Sequence, residues 1–312
     1  MEFANENFLV RIGIADAWAS ANKFLTGTEY WQIVNELLNL ERYISNPKHS
    51  AKPGCYSDVT EMSVAIANAL IENDLPIEPV DYAQSFIDSF WFGKCRPGYS
   101  AGFYDFLWQV KDGEEFLQKI KPGSIKNGAT MRAVPLGVIP NIDDLLCEVE
   151  TQAKTTHNTL EGIFSAQVVA LASHFAFYES DSFDNLAEYC LDILMDKKTE
   201  RFRYIFEESW PAPAVGRKKI TKYPGQTLAI TTVHAVIDLL KNQKSFLDIL
   251  RQTILWGGDT DSVAAIAGGI FSINNPGEKL PEFMTRDLEQ GSPRTGAFYL
   301  QEVGKKLINK FK

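Results

Sequence analysis

Gly257-Gly258-Asp259-Thr260-Asp261-Ser262-Val263-Ala264-Ala265-Ile266-Ala267-Gly268-Gly269 is the stretch on which the reading of this chain turns. Its second half has almost no side-chain bulk, so neighbours can approach its backbone closely, as they must around a central helix. Its first half offers two carboxylates and a hydroxyl from one short turn. Hard oxygens in this arrangement suit a hard cation such as Mg²⁺. The same residue types also cap helix N-termini, and the spacing alone leaves both readings open.

Working outward, helical spacing recurs in four other segments. Phe8 to Phe24 is rich in small residues, with Ile12, Ala15 and Ala19 on one face. Glu61 to Glu72 carries Met62, Ala65, Leu70 and Ile71. Ser245 to Leu255 sets Leu247, Leu250 and Ile254 on one side. Phe164 to Tyr178 is apolar nearly all round, the mark of a helix buried on every face. Alternating strand patterns are scarce. Short breaks at Lys52-Pro53-Gly54, Arg96-Pro97-Gly98, Lys121-Pro122-Gly123, Pro211-Ala212-Pro213 and Tyr223-Pro224-Gly225 read as turns, not as domain linkers. The expected fold class is therefore all-α, one compact domain over residues 1–312, with long surface loops between Glu179 and Lys222.

The bulk properties agree. The chain has 312 residues, 45% hydrophobic and 23% charged, an ordinary globular composition. It is long enough to bury a core without disulfides or a structural metal. A net charge of −9 excludes a general nucleic-acid binder, because phosphate backbones need a positive surface. Cys55, Cys95, Cys147 and Cys190 lie far apart and form no CxxC pair, so neither a zinc site nor a disulfide framework is expected. Reduced, mostly buried thiols are the expectation. The N-terminus has acids where a signal peptide needs bases, and Arg11 and Asp16 interrupt its apolar run. No segment approaches about 18 uninterrupted apolar residues. No membrane partner and a cytoplasmic location are expected.

Three further strings carry chemistry. Tyr56-Ser57-Asp58-Val59-Thr60-Glu61-Met62 offers a carboxylate between hydroxyls ahead of an apolar helix; taken alone, Ser57 and Thr60 read as caps. Gly123-Ser124-Ile125-Lys126-Asn127-Gly128-Ala129-Thr130-Met131-Arg132 has glycines and a hydroxyl before a helix, a way to bring backbone N–H groups against a phosphate. No GK[ST] follows, and an ordinary loop is the alternative. Thr156-His157 is the fourth string. His49, His174 and His234 have no motif around them and receive no role.

Taken together and in this order, the four strings resemble the ADP-ribosylglycohydrolase family, of the dinitrogenase reductase-activating glycohydrolase and ADP-ribosylarginine hydrolase type. The family pattern has Gly-Asp-Ala near the start, Thr-Asp-Asp-Thr-x-Met, a Gly/Ser-Asn-Gly-x-x-Met-Arg loop, Thr-His, and Gly-Asp-x-Asp-Thr/Ser. Arg96-Pro97-Gly98-Tyr99 with Gly102-Phe103-Tyr104, and Val110 to Phe116, resemble a phage and bacterial branch. The likeness runs from about residue 10 to about residue 310. It implies an all-α fold and removal of ADP-ribose from protein side chains, with two Mg²⁺ ions in the family. By match, Ser57, Asp58, Asp259, Asp261 and Ser262 are the metal ligands, and Asp58 and Asp261 the catalytic carboxylates. Gly123, Ser124, Asn127, Gly128 and His157 would hold ADP-ribose. A metal pair would fix the ribose hydroxyls and orient a water, and a carboxylate would take its proton.

The sequence departs from that pattern at the metal site. Val59 stands where the family has its second aspartate. Lys23 stands where Gly-Asp-Ala-x-Gly-x-x-x-Glu would supply a glutamate, and Glu29 is too far on to replace it. Ile125 replaces a common aromatic. Of about five family carboxylates set against two divalent ions, Asp58, Asp259 and Asp261 remain, a balance that suits one weakly held Mg²⁺ or none. Lys23 either occupies the vacated cation position or points to solvent. Two functions stay open: a hydrolase acting on ADP-ribosylated protein or a related compound with a reduced Mg²⁺ site, and a binding protein that captures ADP-ribose, a modified target or a toxin partner. An unrelated all-α Mg²⁺-dependent phosphohydrolase is a distant third.

Overall fold

The Thr260–Asn274 helix is buried without interruption from Thr260 to Ile273. Its most extensive pairing is with the Phe8–Ala19 helix. The bulk-free sequence is what allows that approach. A Cβ at Gly269 would lie 2.5 Å from Ile12 Cγ1, and one at Gly268 would meet the Phe246 ring at 2.8 Å. Glycine in a helix interior costs roughly 0.5–1 kcal/mol of backbone entropy, and here the close packing offsets it. The structure, a computed structural model, describes residues 6–179, 182–211, 215–216 and 226–312. The turns read at Ala212-Pro213 and Tyr223-Pro224-Gly225 lie outside the described residues.

A second buried helix, Leu160–Tyr178, opens with Thr159 Oγ1 accepting from the Gly162 N–H at 3.1 Å. It packs against Val134–Val138, Gly128–Met131, Ile142–Lys154, Leu228–Asn242 and Thr260–Asn274. Among the described residues it alone has the length and composition of a membrane-crossing helix. Neighbours on every side account for that composition: a helix packed all round has no face left to be polar. One continuous apolar cluster draws on residues from Phe8 to Ile308, and a small satellite joins Leu25, Tyr30 and Val34.

The described residues form sixteen α-helices and four short 3-10 helices, with two isolated bridges, Gly123 to His157 and Val215 to Gly258. This is the all-α architecture expected. Phe8–Ala19, Asp58–Glu72, Phe246–Trp256 and Thr260–Asn274 fall where the spacing put them.

Two expectations need correction. The stretch from 179 to 222 is not long surface loop where described: it holds Leu186–Leu194, Glu200–Phe202 and Tyr204–Glu207. Leu186, Cys190 and Leu194 recur on one helical face, and all three are buried with Phe202 and Phe206. The thiols are also less buried than expected. All four are free, but only Cys190 is buried and Cys147 is exposed. Cys147 rides on Ile142–Lys154, whose inward face is already filled by Leu145, Val149 and Ala153.

Candidate active site

The two acidic strings meet. Ser57 Oγ donates to Asp261 Oδ2 across 3.4 Å, although 204 residues separate them in the chain. The N-termini of Asp58–Glu72 and Thr260–Asn274 are thereby brought to one point. The capping reading of Ser57 also holds, since its Oγ accepts from the Val59 N–H at 3.2 Å. Asp259 sits at the N-cap position of its helix without a side-chain capping bond, so its carboxylate is free for other partners.

Asp16, from the middle of Phe8–Ala19, fixes this junction. Its Oδ2 accepts from Ser57 N at 2.9 Å, Thr60 N at 3.0 Å and Thr60 Oγ1 at 2.6 Å. A carboxylate on one helix thus caps the start of another. Sequence reasoning gave Asp16 no role. The available signal was a single acid inside an apolar helix, which must find partners or pay for burial.

Lys23 follows the 3-10 turn Ser20–Asn22. Its Nζ lies 2.7 Å from Asp261 Oδ2 and 3.5 Å from Asp259 Oδ1, with its side chain only 18% exposed. The solvent-pointing alternative is thereby excluded. The segment is pinned: Phe24 N–H donates to Gly258 O at 2.8 Å, and Asn46 Nδ2 to Lys23 O at 3.0 Å. Gly258, at φ +85°, is needed because a Cβ there would lie 2.1 Å from Val215 O. Burial pulls the ammonium pKa down, but Asp261, Asp259 and Asp58 outweigh it and hold Lys23 well above its usual value. Burial raises the Asp261 carboxyl, against the pull of Lys23.

The other ligand candidates have distinct surroundings. Asp259 Oδ2 accepts from Asn127 Nδ2 at 2.7 Å, and the same amide donates to Thr232 Oγ1 at 3.1 Å. Asn127, expected to face ADP-ribose, therefore also holds a carboxylate in place. Asp261 Oδ1 accepts from the Ser262 N–H at 3.0 Å. Asp58 Oδ1 is buried and has no hydrogen-bond partner among the described residues. Burial raises its pKa to about 6, only partly offset by Lys23. Gly98, at φ +135°, passes directly over it, and a Cβ there would sit 2.8 Å from Asp58 Oδ1. Val59 is fully buried. Among the described residues, no three His, Cys, Asp or Glu side chains converge in an arrangement able to hold a metal ion.

A cavity of about 710 Å³ opens on this cluster, lined by Lys23, Asp58, Val59, Asp259 and Ser262 and also by Ser124, Asn127, Gly128 and His157. Ser57 and Asp261 face a smaller neighbouring cavity of about 80 Å³, which shares Lys23 and Gly98 with the large one. Gly123 lines neither; it pairs through its backbone with His157. Ser124 Oγ accepts from Lys126 N–H at 3.2 Å. The helix after this loop, Gly128–Met131, is a single turn. It is too short for the helix-dipole attraction expected of it, which needs several aligned peptides. Any phosphate here would be met by individual N–H groups.

A buried clamp beside the site was not foreseen. Arg96 pairs with Glu61 at 2.6 Å and Glu289 at 2.8 Å, and its guanidinium lies 4.1 Å from the Tyr56 ring centroid. Tyr99 OH donates to Glu61 Oε1 at 2.6 Å. Together these anchor the segment that carries Gly98 over Asp58. Burial raises Glu61 to about 7, with Arg96 opposing.

The fold and site define a helical protein whose two acidic helix starts close one end of a ligand-sized cavity. The sequence model of the ADP-ribosylglycohydrolase family matches residues 12–311. This chain therefore belongs to the ADP-ribosylglycohydrolase family, whose members are hydrolases of ADP-ribosyl compounds. It is 27% identical over 266 residues to ADP-ribosylhydrolase ARH3 of Xenopus tropicalis, covering 72% of this chain and 75% of that one. It is 22% identical over 263 residues to the uncharacterized protein YegU of Escherichia coli (strain K12), covering 74% and 76%. A solved structure described as an ADP-ribosylglycohydrolase-related protein complex superposes with a TM-score of 0.72 at 19% identity, covering 98% of this chain and 97% of that one.

Proposed function

We propose that this protein binds ADP-ribose, free or attached to a protein side chain, in the 710 Å³ cavity, and hydrolyses the ADP-ribosyl bond slowly with a reduced metal site. The observation that carries the reading is the Lys23 ammonium, 2.7 Å from Asp261. The donor set does not suit a pair of divalent ions. One cation position is taken by that ammonium, Asp259 is tied to Asn127, and Val59 has no lone pair. At most one Mg²⁺ would bind, weakly and in competition with Lys23; Asp58 Oδ1, buried without a hydrogen-bond partner among the described residues, is an oxygen still open to it.

The chain's own residues suffice to state the chemistry. The Ser124–Gly128 part of the loop and His157 hold the diphosphate. Asp58, its pKa raised to about 6, takes the proton of a water attacking the anomeric carbon, close to the range where a general base works best at neutral pH. The bond from that carbon to the acceptor breaks, and the acceptor leaves with the proton that Asp58 took up, which returns Asp58 to its carboxylate. Lys23 keeps Asp261 and Asp259 neutralised through these steps.

A second reading, a binding protein for ADP-ribose, an ADP-ribosylated target or a toxin partner, is favoured by the same loss of ligands at Val59 and Lys23. One experiment tests ligand and turnover together: calorimetry with ADP-ribose on wild type and Ser124→Asp, alongside hydrolysis of ADP-ribosylated peptides. Wild type should bind, and the added carboxylate should weaken binding at least tenfold by repelling the diphosphate. Equal affinity for both proteins removes the loop from the site. Binding without any hydrolysis selects the second reading.

A further inference from the structure

His157 is held by a chain of hydrogen bonds whose direction can be worked out. Arg132 is buried, and a guanidinium only donates. Its Nε donates to Gln152 Oε1 at 2.6 Å; its Nη2 donates to Gln152 O and to Thr156 Oγ1, each at 2.9 Å. Thr156 Oγ1 is therefore an acceptor toward Arg132. Its single proton needs an acceptor of its own, and the partner within reach is His157 Nδ1 at 2.7 Å. Were Nδ1 protonated instead, the buried hydroxyl hydrogen would have nowhere to go, an arrangement that folded proteins avoid. Nδ1 thus accepts, and the neutral ring carries its proton on Nε2.

That nitrogen makes no hydrogen bond among the described residues, and His157 lines the large cavity. Gly128 makes the placement possible: a Cβ there would lie 2.7 Å from His157 Cε1 and 3.0 Å from Nε2. The ring's charged neighbours act against protonation. Burial lowers the His157 pKa to about 3, and the positive charges of Arg132 and Lys126 add to it.

We propose that Arg132 and Thr156 are positioning residues that lock His157 as its Nε2–H tautomer, so that the ring offers a hydrogen-bond donor, and neither a base nor a cation, to an unprotonated ligand oxygen. The acceptor class is a phosphoryl or carbonyl oxygen, and a hydroxyl that must itself donate is selected against. The identity of the oxygen rests on the reading that the cavity takes an ADP-ribosyl ligand. The tautomer does not.

Long-range ¹H–¹⁵N spectra of the imidazole rings provide the test, with His157 assigned by comparison with His157→Gln. In the free wild-type protein Nδ1 should resonate as an unprotonated nitrogen and Nε2 as a protonated one, unchanged from about pH 5.5 to 8, where an ordinary histidine titrates. Thr156→Val should mix the tautomers and weaken ADP-ribose binding about tenfold, the worth of one hydrogen bond to a charged group. Thr156→Ser should restore both signals. A protonated Nδ1 in wild type overturns the proposal, as does Thr156→Val with unchanged spectrum and affinity. Should Thr156→Val not fold, the wild-type and Thr156→Ser spectra still decide. Should wild type bind no ADP-ribose, the functional reading falls while the free-protein spectrum still settles the tautomer.

Discussion

Replacing Lys23 with methionine keeps most of the stem's volume and deletes one charge. At 2.7 Å and an effective dielectric of about 20, a unit ion pair is worth about 6 kcal/mol. Desolvation of both partners offsets much of this. Removing one partner of a buried pair typically costs about 3–5 kcal/mol, because the other charge is left uncompensated. With the Lys23 side chain 18% exposed, the lower end applies, about 3 kcal/mol. For a chain of this size, at roughly 2.1 cal/mol/K of unfolding entropy per residue, that lowers Tm by roughly 4–5 °C. The vacated position then faces Asp261, Asp259 and the unpartnered Asp58 Oδ1. A Mg²⁺ ion bound there with Kd about 1 mM would return about 1.4 kcal/mol at about 10 mM Mg²⁺. Thermal unfolding should be followed across a Mg²⁺ titration with an EDTA baseline. Lys23→Met should melt lower than wild type in EDTA and gain about 2 °C from Mg²⁺, while wild type gains little. If wild type gains as much as the variant, the ammonium does not hold the cation position and the reasoning fails.

Asp58→Asn should stabilise the ligand-free protein at pH 8. The folded pKa of Asp58, about 6, exceeds the unfolded value near 3.9. Stability tied to its protonated form is therefore present below about pH 4 and lost as pH rises through 6. The variant should regain about 2–3 kcal/mol at pH 8 and flatten that slope in urea unfolding; an unchanged slope removes Asp58 as its source. Lys23→Glu with Val59→Asp should raise Mg²⁺ affinity and turnover of ADP-ribosyl-arginine or ADP-ribosyl-serine peptides more than the single changes add up to, since the sites share one cluster. A double variant that binds metal and hydrolyses neither substrate would show that the pocket itself has diverged and would favour the binding-protein reading. Gly269→Ala should cost about 1–3 kcal/mol by overpacking, its Cβ falling 2.5 Å from Ile12 Cγ1, whereas Gly277→Ala, with nothing within 4 Å, should be neutral by the same chemical denaturation.

The fold was legible because burial on every side leaves a plain mark. Phe164 to Tyr178 reads as a core helix without knowledge of its neighbours, and the bulk-free run Ala264 to Gly269 announces a close helix contact without naming Ile12 as the partner. The acidic strings were legible for a different reason: carboxylates and hydroxyls packed into one turn are costly unless something charged faces them. What could not be read is pairing at a distance. Arg96 meets Glu61 and Glu289 across 35 and 193 residues, and nothing local in the chain marks either partner. Lys23 was visible as a departure, but whether its flexible stem turned inward was decided by the Gly257-Gly258 turn and the Phe24 bond to it, both tertiary facts.

The acids of the site also divide by a criterion that only the structure supplies. Asp16 and Asp58 are both buried, and both meet at the start of the Asp58–Glu72 helix, Asp16 from within Phe8–Ala19. Asp16 Oδ2 takes three hydrogen bonds from the Asp58–Glu72 helix start; Asp58 Oδ1 takes none. A carboxylate saturated by donors contributes stability and has no capacity left for a ligand. One left unsatisfied raises the free energy of the empty protein, in the range that Asp58→Asn should release, and that cost is recovered only when a water, a cation or a ribose hydroxyl arrives. The same division explains Lys23. It pairs with Asp261 and Asp259 and leaves Asp58 Oδ1 without a hydrogen bond among the described residues, so on the proposed reading the reactivity of the cluster narrows from three carboxylates to one. If that is the case, activity should depend far more steeply on Asp58 than on Asp259, and a turnover assay of Asp58→Ala beside Asp259→Ala in the same buffer decides it: equal losses would mean that the acids still act together on a shared cation.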